Sequence, residues 1–130
     1  MYSEKIKFEK TICFIIIIAI GFICTIAPVS AKTTSTSYSG QFNKAWQKTK
    51  TDTGQSDPYA VKLTYGYNTK LINEDYTWTM ASRYAKKHTA YVKNGSGVWR
   101  KGPTKGQFVV SKIEVRHKGS KVYYKCVWDQ

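Results

Sequence analysis

Cysteine is scarce in this chain, and its placement limits the use of disulfides. The 130 residues contain three cysteines, and two of them, Cys13 and Cys24, lie in an apolar stretch near the N-terminus. Cys126 stands alone in the rest of the chain, so it has no partner there for an internal bridge. A small domain without a disulfide framework depends on its core, and here the many aromatic residues must supply the buried area.

Histidine and acidic residues are also few, which leaves little material for catalysis. The chain beyond residue 31 has two histidines, His88 and His117, and six acidic residues. It contains no HExxH, CxxC, glycine-rich phosphate loop or GxSxG pattern. Two histidines and one cysteine without short ligand spacing do not make a zinc site. The sequence therefore predicts a protein that is not an enzyme and uses no metal or other cofactor.

One enzymatic alternative stays open. A small basic protein could act as a ribonuclease in which lysines hold the phosphates and His88 works with His117 or Glu114 as acid and base. This pairing rests on residue type alone. The alternative interpretation places His88 at the start of one strand and His117 at the end of another, both exposed.

The N-terminus has the features of a secretory signal peptide in the expected order. Three lysines precede an uncharged apolar run from about residue 11 to 27, and the small residues Val29 and Ala31 follow Pro28. This order predicts a signal peptide over residues 1–31, with cleavage after Ala31 and secretion of the rest. An uncleaved membrane anchor is the alternative. If the signal peptide is cleaved, the protein would contact a membrane only as the uncleaved precursor.

Positive charge dominates the sequence. The whole chain carries a formal net charge of +13, and residues 32–130 keep 18 basic and six acidic residues, a net charge of +12. Such an excess favours association with polyanions, which outside a cell include teichoic acids, anionic lipids and lipid-linked wall precursors. Lysines also keep a small β-protein soluble and protect its sheet edges. We expect an anionic cell-envelope component as partner, and no nucleic acid.

Alternating apolar and polar residues predict an all-β protein, a small antiparallel β-sandwich over residues 38–130 preceded by the signal-peptide helix. The predicted strands lie in the segments YAVKLTYGYN, EDYTWTMASRY, HTAYVK, QFVVSKIEVRH and KVYYKCVW. The polar residues 32–37 are predicted to form a flexible lead-in, and residues 48–58 a loop. Residues 118–121 are predicted to join the last two strands as a hairpin.

The last strand also predicts the environment of Cys126. Val122, Tyr124, Cys126 and Trp128 fall on one face, while the opposite face carries Lys121, Tyr123, Lys125 and Val127. A free cysteine on an apolar face behaves as a small hydrophobic residue. Cys126 is therefore predicted to be buried and unreactive.

Aromatic residues interleaved with lysine and arginine form the candidate binding surface. Such a mixture can hold a sugar chain, a phosphate-bearing lipid or a nucleic acid through charge and cation–π contacts. The alternative is that the rings belong to the core and the charges only confer solubility. The candidate ligand-binding residues are Tyr84, Lys86, Lys87, His88, Tyr91, Lys93, Trp99 and Arg100.

Parts of the chain resemble two known families. The segments WQKTKTD, SDPYAVKLTYGYN and VYYKCVWDQ resemble a family of small secreted bacterial proteins defined only as a domain of unknown function. SRYAKKHTAYVKNGSG and KVYYKCVW are similar to the lactococcin 972 type of secreted bacteriocin. That type has a tyrosine, then His-Ser/Thr-Ala-x-Val, found here at Tyr84 and residues 88–92, and an aromatic C-terminus. GVWR at 97–100 resembles its Gly-Val-Trp-Ala, with Arg100 in place of alanine.

The bacteriocin resemblance implies a function as well as a fold. It implies a β-sandwich released by a Gram-positive bacterium that captures a lipid-linked wall precursor of a neighbouring cell. Membrane proteins for immunity and transport would be further partners. Neither family supplies catalytic residues. A generic association with the wall or with teichoic acid is the less specific alternative.

Overall fold

The computed structural model describes residues 31–52 and 59–129, and within these ranges it consists of strands, turns and loops without a helix. The signal peptide predicted over residues 1–31 lies outside the described residues, except for Ala31. Within the described ranges, no helix is long and apolar enough to cross a membrane. The strands are β1 (Lys32–Ser39), β2 (Trp46–Asp52), β3 (Val61–Asn68), β4 (Glu74–Ala81), β5 (Lys87–Lys93), β6 (Arg100–Lys101), β7 (Lys105–Gly106), β8 (Ser111–Arg116) and β9 (Lys121–Asp129).

The strands form two antiparallel sheets that pack together, which confirms the predicted all-β sandwich. Sheet A has the order β1-β9-β5-β6, and the short strand β7 also pairs with β5. Sheet B has the order β2-β3-β4-β8. Each strand of a sandwich turns alternate side chains inward and outward, so each sheet has an inner face on the core and an outer face on the solvent.

The period-two pattern is confirmed most clearly in β3 and β9. In β3, Val61, Leu63 and Tyr65 face inward and are buried. In β9, every second side chain from Val122 to Trp128 is buried, and Cys126 is fully inaccessible. The predicted burial of Cys126 is therefore confirmed.

Aromatic rings fill one end of the core, as the lack of disulfides led us to expect. Tyr65 and Tyr124 lie 4.9 Å apart between ring centroids, and Tyr38 lies 4.3 Å from Trp46. Aromatic pairs of this kind contribute about 0.5–1.5 kcal/mol beyond the burial of their area. The buried apolar cluster comprises Ala60, Val61, Leu63, Tyr65, Ala81, Ala85, Val92, Val122, Tyr124, Cys126 and Trp128.

The other part of the interior is a polar seam between β4 and β5, formed by Asp75, Thr77, Thr79, His88 and Asn94. Thr79 Oγ1 lies 2.7 Å from His88 Nδ1, and Asn94 Nδ2 donates to Asp75 Oδ2 at 2.9 Å. Thr77 donates to the carbonyl of Tyr91 at 2.9 Å. These buried groups have partners across the two sheets, so hydrogen bonds of the seam help to tie sheet A to sheet B.

The flexible lead-in predicted for residues 32–37 is wrong, because this segment forms most of strand β1. Its backbone pairs with β9 from Lys32↔Trp128 to Ser39↔Lys121. Thr34 is buried and links the strand to its surroundings, since it accepts a hydrogen bond from Trp128 Nε1 and donates to Asp52 Oδ2. A polar sequence is ordered here because a neighbouring strand satisfies its backbone.

Two further boundaries differ from the sequence prediction. Lys48 to Asp52 belong to β2, whereas the sequence predicted a loop over 48–58; residues 53–58 lie outside the described residues. The long strand predicted in QFVVSKIEVRH is shorter, because β8 begins at Ser111. Phe108 has a φ of 59°, a left-handed conformation that does not fit a strand.

The hairpin predicted at residues 118–121 is also wrong. Strand β8 pairs with β4 in sheet B, whereas β9 pairs with β1 and β5 in sheet A. The connection therefore crosses from one sheet to the other. Gly119, at φ 84°, allows the backbone to turn at this crossing without a Cβ clash.

Candidate functional site

The outer face of sheet A carries a surface of alternating lysines and aromatic rings, which we call the lysine–aromatic face. In the cross-strand register Tyr91 pairs with Lys125 and Lys93 with Tyr123, so rings and ammonium groups alternate between β5 and β9. Trp99 precedes β6 and lies over this junction. The face consists of Tyr91, Lys93, Trp99, Lys121, Tyr123 and Lys125.

Trp99 is the centre of the lysine–aromatic face. Lys125 Nζ lies 4.2 Å from the centroid of its indole, and Lys93 Nζ lies 5.1 Å from the same centroid. Tyr91 and Tyr123 flank it, with ring centroids at 6.4 and 6.5 Å. Each exposed cation–π contact contributes about 0.5–1 kcal/mol, so these contacts favour the observed arrangement of the side chains.

The outer lysines complete the pattern. Lys93 Nζ is 4.8 Å from the ring of Tyr123, and Lys121 Nζ is 5.0 Å from the same ring. Lys125 also lies 4.9 Å from Tyr91. None of these three lysines forms an ion pair in the described part of the chain, where Lys112 pairs with Glu114 and the His117 ring contacts Asp75.

A shallow groove of about 360 Å³ runs along one side of the lysine–aromatic face. Its other wall is β1, whose Ser35 lies beside Lys125 and whose Ser37 lies beside Tyr123 in the strand register. Small polar side chains on β1 keep this wall low, so Trp99 and Tyr123 stay open to solvent. The groove can therefore accept an extended ligand that contacts rings, ammonium groups and hydroxyl groups together.

Of the eight predicted binding residues, three meet in the lysine–aromatic face. Tyr91, Lys93 and Trp99 belong to it. Lys87 lies on the same outer face, four residues before Tyr91 and therefore about 13 Å away along β5. Its register partner is Asp129, whose carboxylate accepts a hydrogen bond from the Lys87 backbone.

The structure places three other predicted residues elsewhere. Tyr84 lies in the connection from β4 to β5, where it is 42% exposed and contacts Arg83. Lys86 is exposed in the same connection, and its backbone donates to Asp129. Arg100 is exposed on β6 and lines a separate cleft with Glu114 and residues 115–118. These residues do not join the array around Trp99.

His88 lies in the interior, so the interpretation of this histidine as exposed is wrong. Its side chain is 1% exposed because β5 turns it towards β4 and away from the solvent face. Nε2 lies 3.0 Å from the Gly106 carbonyl and 2.8 Å from the Val109 carbonyl, so Nε2 donates and Nδ1 accepts from Thr79. Burial lowers the pKa of His88, which favours the neutral ring.

His117 is half-buried at a different end of the polar seam. Its Nδ1 lies 2.8 Å from Asp75 Oδ1, and its ring stacks at 4.3 Å on Phe42. Burial raises the pKa of Asp75, partly offset by hydrogen bonds from Asn94 and His117. His88 bonds Thr79, four residues along β4 from Asp75, or about 13 Å. The structure does not bring the two histidines together as an acid–base pair.

Three residues of the lysine–aromatic face are missing from the predicted set. Lys121, Tyr123 and Lys125 all lie on the solvent side of β9, as the alternation of the last strand indicates. Their position was therefore visible in the sequence. Their proximity to Tyr91 and Lys93 was not, because it depends on the pairing of β9 with β5.

The side chains of the lysine–aromatic face are suited to binding a ligand. Ammonium groups attract anions, and aromatic rings pack against flat apolar surfaces. No cluster of three or more His, Cys, Asp or Glu side chains that could hold a metal ion occurs among residues 31–52 and 59–129.

Comparison of the chain with models of known protein families, with curated proteins and with solved structures found no match.

Proposed function

We propose that this protein is a secreted, non-enzymatic binder of an anionic cell-envelope component, and that it binds through the lysine–aromatic face. The observation that carries the proposal is the array around Trp99, in which two ammonium groups share one half-buried indole. The resemblance to lactococcin 972-type bacteriocins makes a lipid-linked wall precursor of a Gram-positive cell the preferred ligand. Teichoic acid is the more general alternative.

Electrostatics favours an anion at this position. The ammonium groups of Lys93 and Lys125 lie 5.1 and 4.2 Å from one centroid, so their separation is below the Debye length of about 10 Å at 0.1 M salt. Their mutual repulsion is incompletely screened, and no described carboxylate forms an ion pair with either lysine. A phosphate or pyrophosphate group between them would relieve this repulsion. The net charge of +12 adds long-range attraction.

The rings supply selectivity that charge alone lacks. Tyr123 is 37% exposed, and Tyr91 and Trp99 are half-buried, so each ring keeps an accessible surface. A ligand with a phosphate next to a sugar or a lipid chain can contact ammonium groups and rings at once. A simple polyanion uses only the charges, and its affinity falls steeply with salt.

The test is a titration of the purified protein with isolated wall material, teichoic acid and a lipid-linked wall precursor over a salt series. We expect affinity for the precursor to persist at physiological ionic strength, while affinity for teichoic acid declines. Loss of binding to all three ligands near physiological salt would contradict the proposal. The positive charge of the protein would then serve only to keep it soluble.

Matched variants locate the site. Lys125→Gln removes a charge from the lysine–aromatic face, and Lys62→Gln removes the same charge from the outer face of sheet B. We expect Lys125→Gln to weaken precursor binding by about fivefold and Lys62→Gln by less than about twofold. Trp99→Ala should weaken it by about tenfold or more, as for a central aromatic contact. Equal effects of the two lysine variants would exclude this face as the site.

A further inference from the structure

The outer face of sheet B contains a second groove that differs from the lysine–aromatic face in charge and chemistry. It has a volume of about 620 Å³, within the range of small-molecule sites. Its floor and walls include Gln47, Glu74, Tyr76, Trp78, Lys112 and Glu114, which we call the sheet B groove. These residues come from β2, β4 and β8, so the strand order of sheet B builds the groove.

Two aromatic rings form the floor. Tyr76 and Trp78 lie 5.4 Å apart between centroids, with their planes tilted by 42°. Tyr76 lies across Gly66, where a Cβ atom would come within 2.6 Å of the Tyr76 hydroxyl oxygen. A glycine at this position therefore lets the tyrosine ring lie flat on the sheet. The hydroxyl group donates to Gln47 Oε1 at 3.0 Å, which holds the ring in place.

Hydrogen-bonding groups surround the rings. Glu114 lies beside Tyr76 in the register of β4 and β8, and Glu74 lies opposite Asn68 across β3 and β4. The Gln47 side chain uses its oxygen for Tyr76, which leaves its amide nitrogen for another acceptor. Carboxylates and carboxamides around a ring platform match the dense hydroxyl groups of a sugar, because they offer acceptors and donors at close spacing.

Charge separates this groove from the lysine–aromatic face. The groove has two lysines, Lys70 and Lys112, and two glutamates, Glu74 and Glu114, so its formal charges balance. Lys112 Nζ lies 2.7 Å from Glu114 and 4.7 Å from the Trp78 centroid. This exposed ion pair is weak and can rearrange when a ligand reaches the indole. A balanced groove offers no advantage to a polyanion.

We propose that the sheet B groove is a binding site for an uncharged oligosaccharide. The apolar face of a sugar ring would pack on Trp78, which is 36% exposed, while its hydroxyl groups bond Glu74, Gln47 and Glu114. Exposed Leu71, at one lip of the groove, extends the apolar surface for a chain longer than one sugar. The site is separate from the anion site proposed above, because it lies on the opposite sheet.

The test uses two neutral probes, chitohexaose and cellohexaose, titrated into the purified protein while amide and indole resonances are recorded. We expect saturable shifts of the Trp78 indole resonance by at least one probe, and no shift of the Trp99 resonance. Since the probes are uncharged, the dissociation constant should not change between low and physiological salt. Absence of shifts with both probes at millimolar concentration would overturn the proposal.

Variants distinguish this site from nonspecific contact. Trp78→Ala should weaken binding at least about fivefold, the loss expected for an aromatic contact. Tyr84→Ala removes an exposed ring outside both faces and should leave the affinity unchanged. An unchanged Trp99 resonance and unfolding midpoint will show that Trp78→Ala is folded. Equal losses in the two variants would contradict the assignment.

Three further outcomes bear on the proposal. Competition of teichoic acid with the bound oligosaccharide would show a shared site and overturn the proposal. So would shifts of Trp78 with zwitterionic lipid vesicles but not with either oligosaccharide, since they would indicate an apolar partner. If Trp99→Ala abolishes anion binding and leaves oligosaccharide binding intact, the two sites are independent, and failure of one does not affect the other.

Discussion

At the scale of single residues, Cys126 shows how position governs chemistry. The thiol is fully inaccessible between the sheets. Burial raises its pKa to about 12, with smaller opposing effects from hydrogen bonds to Thr79 and Thr89. The thiolate is the nucleophilic form, so both access and ionisation limit reaction at this residue.

We expect Cys126 to react with a thiol reagent only when the protein unfolds. With a pKa of about 12, the thiolate fraction at about pH 8 is on the order of one in ten thousand. The measurement is the rate of labelling by a disulfide reagent, with the modified residue located by peptide mass mapping. Labelling in denaturant is the control and should be rapid. Rapid labelling of the native protein, or a disulfide-linked dimer through Cys126, would contradict this prediction.

At the scale of elements, strand β1 is joined to the fold by a short hydrogen-bond relay. Trp128 Nε1 donates to Thr34 Oγ1 at 3.1 Å, and Thr34 Oγ1 donates to Asp52 Oδ2 at 2.7 Å. The relay connects β9 and β1 of sheet A with β2 of sheet B. A single buried hydroxyl group therefore contributes to both the attachment of β1 and the contact between sheets.

Thr34→Val tests this relay, because valine keeps the shape and β-propensity of threonine but cannot hydrogen-bond. We expect a loss of about 1–3 kcal/mol in the free energy of unfolding, since Trp128 Nε1 and Asp52 Oδ2 lose their partner. Urea denaturation should show a lower midpoint with an unchanged slope. Thr33→Val, on the exposed side of the same strand, is the control and should change stability by less than about 0.5 kcal/mol.

A result in which both variants behave alike would mean that Thr34 contributes only through its side-chain volume. The β1 segment would then be held by its backbone pairing with β9 alone.

At the scale of the whole molecule, the polar seam makes stability depend on pH. Burial lowers the pKa of His88 from 6.5, and its hydrogen bonds to Gly106 and Val109 offset this only in part. The folded pKa is thus below the unfolded one. The contribution of neutral His88 is complete above pH 6.5 and is lost as pH falls towards the folded pKa, because the unfolded chain binds the proton more readily.

We therefore expect the free energy of unfolding to decrease from about pH 7.5 to about pH 5.5. His88→Gln removes the titrating group, so this variant should be less stable at neutral pH but should show a weaker pH dependence. The measurement is urea denaturation of both proteins at each pH. The pH dependence that Asp75 contributes to stability has the opposite sign, because burial raises its folded pKa above 3.8. This contribution is common to both proteins. If the free energy of unfolding changes with pH by the same amount in both proteins, the prediction is contradicted.

The two sheets of the sandwich have outer faces of different chemistry. The lysine–aromatic face presents lysines without described carboxylate partners, whereas the sheet B groove pairs Lys112 with Glu114. The sheets of a sandwich are about 10 Å apart, and the interior between them is closed by side chains from both. The two surfaces that we propose as binding sites therefore lie on opposite faces of one small domain.

The sequence by itself determined the local pattern of this protein. Alternation with a period of two predicted strands β3, β4, β5 and β9, the burial of Cys126 and the solvent side of β9 that carries Lys125. These features are readable because the side chains of one strand alternate between core and solvent whatever its neighbours are. The same reasoning predicted an all-β sandwich, and the structure confirms it.

Only the tertiary structure decided which strands are neighbours. The polar segment 32–37 is a strand because β9 pairs with it, and Thr34 finds Trp128 at a sequence separation of 94 residues. The turn at 118–121 leads from β8 in sheet B to β9 in sheet A. His88 is buried because β5 faces β4. Such pairings depend on contacts between distant segments, whose hydrogen bonds and packing outweigh local preference. Both proposed sites lie across several strands, so no single segment of sequence contains either of them.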